Sequence, residues 1–189
     1  MSQINTLILG GARSGKSNFA MELALKSGKP ILFVATATAS DEEMRQRIEE
    51  HRKARPVDWT TLEITKYLGK LITNNIGESQ TVIIDCITLL VNNIMFEHVR
   101  DTDEQIDAQQ AEKKVLAEIG GLNGCLKSVN ASFILVTNEV GLGLVPTDYT
   151  SRLYRDLLGK TNQMLTETVD EVYLMAAGIP LRIKSATTL

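Results

Sequence analysis

Four uninterrupted apolar runs punctuate the chain: TLILG from Thr6 to Gly10, PILFVATA from Pro30 to Ala37, TVIIDCI from Thr81 to Ile87 and SFILVTN from Ser132 to Asn138. Each has strand length, and helical patterns lie between them. Continuous rather than alternating apolar strands mark a sheet covered on both faces, and intervening helices make it parallel. Two further runs, EVYLMAA and PLRIK, are separated by Gly178-Ile179 and read as a terminal hairpin. The pattern therefore predicts an α/β fold, a mostly parallel sheet with helices on both faces and a C-terminal antiparallel edge strand. No internal repeat or low-complexity segment interrupts it. The loosest stretch, His98 to Asp107, is polar and acid-rich, a mobile connection or a helix start.

One helix is unusually well delimited. Ser40-Asp-Glu-Glu43 forms a capping box, and Pro56 stops the helix because it disfavours helical geometry at Arg55. Met44, Ile48 and His51 then share one stripe, which puts the imidazole on the inward face. A histidine closing an apolar stripe is ordinarily a packed, hydrogen-bonded residue. Here Arg52, Lys53 and Arg55 crowd three cations against it, enough to neutralise a polyphosphate and to disfavour protonation of the ring. The helix C-terminus pulls the opposite way.

Composition narrows the class. A chain of 189 residues and 20.8 kDa suits one domain, taken as 1–189, and 43% apolar with 23% charged residues is ordinary for a globular protein. A net charge of −3 argues against a nucleic-acid face as the main business. Cys86 and Cys125 lack metal-like spacing and read as buried thiols in a reducing compartment. With neither a basic leader before the first strand nor an apolar run of membrane-spanning length, the expectation is a cytoplasmic protein without a membrane span.

The chemistry begins at GGARSGKS, which follows the first strand and opens a helix. In such a G-x-x-x-x-G-K-S loop the backbone N–H groups of Gly10, Gly11, Ala12, Arg13, Ser14 and Gly15 point at phosphate oxygens, and the helix N-terminus adds partial positive charge. Lys16 reaches the β- and γ-phosphates, and the Ser17 hydroxyl holds Mg²⁺. Asp85 closes VIID at the carboxyl end of a strand and is the natural second-sphere carboxylate for that ion. These marks define a P-loop nucleotide-binding domain.

GGARSGKS, ATATASDEEMRQRIEEHRKARPVDW, DCITLLVNN and VTNEVGLGLVPTDYTSRLYRDLLGKTNQ together resemble the bifunctional adenosylcobinamide kinase / adenosylcobinamide-phosphate guanylyltransferase family, over Leu7 to Lys184. The resemblance implies a RecA-like P-loop NTPase fold, with ATP and GTP as substrates. Adenosylcobinamide is phosphorylated by a nucleoside triphosphate, and GMP is then transferred from GTP to adenosylcobinamide phosphate through a GMP-histidine whose nucleophile matches His51. Thr36, Ala37, Thr38, Arg52, Lys53, Ala54, Arg55, Glu63 and Asp85 match the family's nucleotide-contacting positions, and a homotrimer is implied. Some members carry glutamate at the position of Asp85 and a second histidine at that of Glu50. Two rivals stand beside this reading: a plain small-molecule kinase with a structural His51, and a nucleotide-dependent switch or partner-binding ATPase. The N-K-x-D signature of base-reading GTPases is absent, its nearest counterpart being Thr137-Asn-Glu-Val140, which weakens the switch.

Asn138 to Gln163 reads as a ligand-lining loop and helix. Gly141, Gly143 and Pro146 shape a turn, Arg152 and Arg155 share a stripe with Gly159 and Asn162, and Gly159 suggests a close approach by another backbone or ligand. Solvated arginines on an ordinary amphipathic helix are the alternative. His98, beside Glu97 and Arg100, reads as surface.

Overall fold

The computed structural model describes residues 3–39, 42–53, 55–97 and 106–186, without the side chains of Glu43 and Arg47. Its strands are β1 (Thr6–Gly10), β2 (Ile31–Ala35), β3 (Thr60–Glu63), β4 (Thr81–Asp85), β5 (Ser132–Val136), β6 (Glu171–Ala176) and β7 (Ile179–Lys184). They form one sheet in the order β3-β2-β4-β5-β1-β6-β7. The four apolar runs thus become the four adjacent central strands. All pairings are parallel except β6 with β7, so the expected mostly parallel sheet with an antiparallel edge is present. The hairpin turns at Ala177 and Gly178, both at positive φ, one position earlier than the sequence indicated.

The helices are α1 (Lys16–Ser27), α2 (Glu42–Lys53), α3 (Leu68–Asn75), α4 (Ile87–Met95), α5 (Ala108–Ser128) and α6 (Tyr149–Thr168). Helix α1 covers one sheet face, where Ala20 and Ala24 pack with Ile8, Phe33, Ile83, Ile134 and Val136. Helices α3 to α6 cover the other, through residues such as Leu68, Leu90, Ile119 and Leu158 against Leu7, Ile84 and Phe133. Each fully buried side chain of this size contributes about 1.5–3 kcal/mol, so the sheet is a rigid platform for its carboxyl edge. Among the described residues no helix is long and apolar enough to cross a membrane.

One strand departs from expectation. Strand β3 is a largely exposed edge with the sequence TTLE, and no apolar run announces it. Helix α2 ends before Pro56 as expected, and Met44, Ile48 and His51 share its half-buried stripe as expected; among its described side chains none is completely buried. Ser40 and Asp41 of the capping box lie outside the described residues, as do residues 98–105, including His98. Asp107 is the N-cap of α5, accepting from the N–H groups of Gln109 and Gln110, so the acid-rich stretch does end in a helix start.

Candidate active site

The phosphate loop leaves β1 at Gly10 and enters α1 at Lys16. Its path needs Gly15 at φ 94° and Arg13 at φ 56°. A side chain at Gly10 would meet the Ser14 hydroxyl at 2.6 Å and the Met175 carbonyl at 2.7 Å. Lys16 is buried and donates from Nζ to the Gly11 carbonyl at 2.6 Å, a bond that holds the amine over the loop. The Ser14 hydroxyl is buried with no hydrogen-bond partner among the described residues. An orphaned buried hydroxyl in a glycine-rich loop that opens a helix fits a cradle for an oxyanion.

Asp85 ends β4, directly opposite Ala35 of β2 and Val136 of β5. The next residue is clamped. The Thr36 hydroxyl donates to the Cys86 carbonyl at 2.6 Å and accepts from the Cys86 N–H at 2.9 Å, while the Thr36 carbonyl accepts from Asn93 Nδ2 at 2.8 Å. Thr36 is completely buried. Of the three consecutive residues matched to nucleotide contacts, Thr36 is buried with its hydroxyl bonded to Cys86, and only Ala37 and Thr38 reach the surface. Burial, and then the charge of Asp85, pushes the Cys86 thiol up to about 12, against the pull of Lys16. Cys125 is buried as expected and Cys86 is partly exposed.

A second cluster lies beyond Phe33. Arg52, Arg55, Pro56, Val57, Trp59, Thr61 and Glu63 line an open cavity of about 440 Å³. The Arg55 guanidinium sits 4.0 Å from the Phe33 ring centroid, and Trp59 stacks on the same ring at 6.3 Å. Burial pulls the Arg55 pKa below its ordinary value, while Asp85 and Glu63 raise it, so this cation feels both clusters. Its Nε is buried with no partner among the described residues. Arg52 binds the Glu63 carboxylate through Nε at 3.1 Å and through Nη2. The pair is half exposed and of small worth to stability.

His51 precedes Arg52 on α2, half-buried, and its imidazole makes no hydrogen bond or ion pair among the described residues. Lys53 is exposed, and Ala54 lies outside the described residues. Phe33 and Trp59 were not singled out by the sequence. The one tryptophan, three residues past the helix-ending proline, was the available signal.

In the segment after β5 the two arginines are engaged locally. Arg152 donates to the carbonyls of Pro146 and Thr147, at 3.0 and 2.5 Å, and Arg155 pairs with Asp156, so both arginines hold their own element. A side chain at Gly159 would meet nothing within 4 Å, so no backbone approaches it. The close approach occurs at Gly69 of α3, against the Gly121 carbonyl of α5.

The model of the cobinamide kinase / cobinamide phosphate guanyltransferase family matches residues 6–183. The chain belongs to that family. Bifunctional adenosylcobalamin biosynthesis proteins named CobU from Escherichia coli (strain K12) and Salmonella typhimurium (strain LT2) are 40% and 38% identical to it. Each alignment runs over 179 residues, 94% of this chain and 98% of the relative. CobP from Pseudomonas aeruginosa (strain PAO1) is 39% identical over 178 residues, 94% of this chain and 96% of its own length. A solved structure from Pyrococcus horikoshii OT3 superposes with a TM-score of 0.55 at 11% identity, covering 99% of this chain and 90% of that one, a likeness of fold alone. As a family member, the protein is a cobinamide kinase and cobinamide phosphate guanyltransferase of adenosylcobalamin biosynthesis.

Proposed function

We propose that one nucleotide-binding domain runs both reactions, with Lys16 serving phosphoryl transfer and His51 serving guanylyl transfer. In the kinase step the loop from Gly10 to Ser17 holds the nucleoside triphosphate, and Lys16 neutralises charge on the γ-phosphoryl group as it passes to the cobinamide hydroxyl. The Ser17 hydroxyl and the Asp85 carboxylate are hard oxygen donors that suit Mg²⁺. Among the described residues no cluster of three or more metal-ligating side chains competes for that role. Such an ion, completed by phosphate oxygens and water, supplies charge neutralisation when bound.

In the transfer step a ring nitrogen of His51 attacks the α-phosphorus of GTP, forming an N–P bond as the α–β P–O bond breaks and pyrophosphate leaves. An oxygen of cobinamide phosphate then attacks the same phosphorus, the N–P bond breaks, and the imidazole is restored. The observation that carries this reading is the half-buried imidazole without a polar partner, one residue from a cavity walled by Arg52, Arg55 and Glu63. These residues, with Ala37, Thr38 and Lys53, are assigned to the nucleotide, and Thr36 to the support of Asp85. The active assembly is assigned as a cytoplasmic homotrimer. In support of assembly, Ile179, Leu181 and Ile183 of the edge strand β7 are 62, 51 and 61% exposed.

A pair of variants tests the division of labour. His51→Asn keeps polarity and approximate size without a nucleophilic nitrogen, and abolishes covalent GMP attachment while sparing phosphorylation of cobinamide. Lys16→Ala cripples phosphorylation. Loss of both activities in a folded His51→Asn protein contradicts the separation of roles.

A further inference from the structure

Just past the strand between the phosphate loop and Asp85 stands Asn138, a residue of the VTNEVGLGLV stretch that none of the proposed roles uses. Val136 of β5 lies opposite Ile8 of β1 on one side and Asp85 of β4 on the other. The ladder to β1 continues past the end of β5: the Thr137 N–H donates to the Ile8 carbonyl and the Glu139 N–H to the Gly10 carbonyl, both at 3.0 Å. Asn138 therefore stands beside Gly10, the first residue of the loop, and two positions beyond the level of Asp85. Side chains alternate along extended backbone. Val136 packs on the α1 face and Thr137 reaches α6 on the other, donating to Asn162 Oδ1 at 2.9 Å. The Asn138 side chain thus belongs to the α1 face, the face of Lys16.

The backbone there is held without help from β4, which has already turned into α4. The Asn138 N–H donates to the Thr88 hydroxyl at 2.6 Å, and its carbonyl accepts from Asn162 Nδ2 at 3.1 Å. The Tyr154 hydroxyl donates in turn to the Thr88 carbonyl at 3.2 Å. Three side chains from two helices thus brace this one residue, whose own carboxamide has no partner among the described residues. A braced backbone presenting a half-buried, unpaired amide at the mouth of a phosphate cradle has the features of a preorganised donor.

We propose that Asn138 is a catalytic residue of the kinase step, its Nδ2–H₂ donating to an oxygen of the transferred γ-phosphoryl group. The assignment rests on the reading of Gly10 to Ser17 as the phosphate cradle. The donor adds to Lys16 the hydrogen bonding that a point charge cannot orient, and it acts on charge that spreads over the equatorial oxygens during transfer.

The test measures kcat and nucleotide KM for cobinamide phosphorylation, with ATP and with GTP, in wild type, Asn138→Ala, Asn138→Asp and Lys16→Ala. The expected result is a kcat lowered about 10²-fold in Asn138→Ala, the usual effect of removing one such donor, with nucleotide KM within about threefold. Asn138→Asp preserves shape, so it decides the matter if the alanine variant fails to fold. It should be at least as slow as Asn138→Ala, because it places negative charge against phosphate. An Asn138→Ala enzyme within twofold of wild type, or an Asn138→Asp enzyme as fast as wild type, overturns the assignment. The parallel Lys16→Ala measurement separates the two failures: if that variant keeps wild-type activity, the cradle reading itself is at fault.

Discussion

Thr36 directs its hydroxyl at both polar backbone groups of Cys86, and that clamp sets the residue after Asp85. Thr36→Val keeps the volume and leaves the Cys86 N–H unpaired, at about 1–3 kcal/mol for an unsatisfied buried group, while the Cys86 carbonyl keeps the Leu90 N–H at 3.3 Å. Phosphoryl transfer should slow roughly tenfold or more as the carboxylate loses its setting. A variant with both the wild-type urea midpoint and the wild-type kcat would contradict this role. The neighbouring thiol gives a pH prediction. Burial raises Cys86 from an ordinary 9.0 to about 12, so the native state favours the neutral form. That contribution to stability is complete below pH 9 and is lost as pH rises toward 12. Thermal melts should fall across this window, and Cys86→Ala should flatten the fall. An unchanged slope would assign alkaline loss to other groups. At this scale the sequence was explicit about Lys16, Ser17 and Asp85, because motif and strand end coincide. It was silent on what Thr36 and Arg152 touch, because partners distant in sequence, or local carbonyls, decide that.

Among the elements, β1, β2, β4 and β5 were legible because full burial on both faces writes a continuous apolar run. Strand β3 was not, since an edge strand with an exposed pattern carries no such run. The sequence identified the end of α2 through Pro56 and put His51 on the inward stripe with Met44 and Ile48, where all three are half-buried; periodicity names the stripe without saying how closely the helix is packed. Helix α3 has no capping side chain of its own: Glu118 of α5 accepts from the N–H groups of Tyr67 and Leu68 at 2.8 and 2.7 Å. The same contact brings Gly69 against the Gly121 carbonyl. Gly69→Ala should therefore cost about 1–3 kcal/mol through overpacking. Gly159→Ala, in an open part of α6, should instead gain up to about 1 kcal/mol of helix propensity. Urea midpoints that moved in the same direction for both would contradict this account of the α3–α5 contact. Asp107→Ala removes the α5 cap and should lower stability by about 1 kcal/mol, a fall in Tm of about 2–4 °C.

For the molecule as a whole, the sheet sets the phosphate cradle, Asp85 and the Arg55 cluster along one carboxyl edge, while His51 stands on a helix none of whose described side chains is completely buried. Rigid elements hold the groups that need constant geometry, and the proposed nucleophile sits on a helix whose described side chains are at most half-buried. The proposed trimer should appear in light scattering as a mass near 62 kDa, three times 20.8 kDa, and a 20.8 kDa particle at working concentration would contradict it. The central claim is that His51 carries GMP between the two substrates. Its most direct test is to incubate the protein with α-labelled GTP without acceptor, digest it, and locate the label by mass spectrometry. The account predicts one GMP on His51, lost in acid and stable in alkali as a phosphoramidate. An unlabelled protein, or an adduct on another residue or stable to acid, would contradict it.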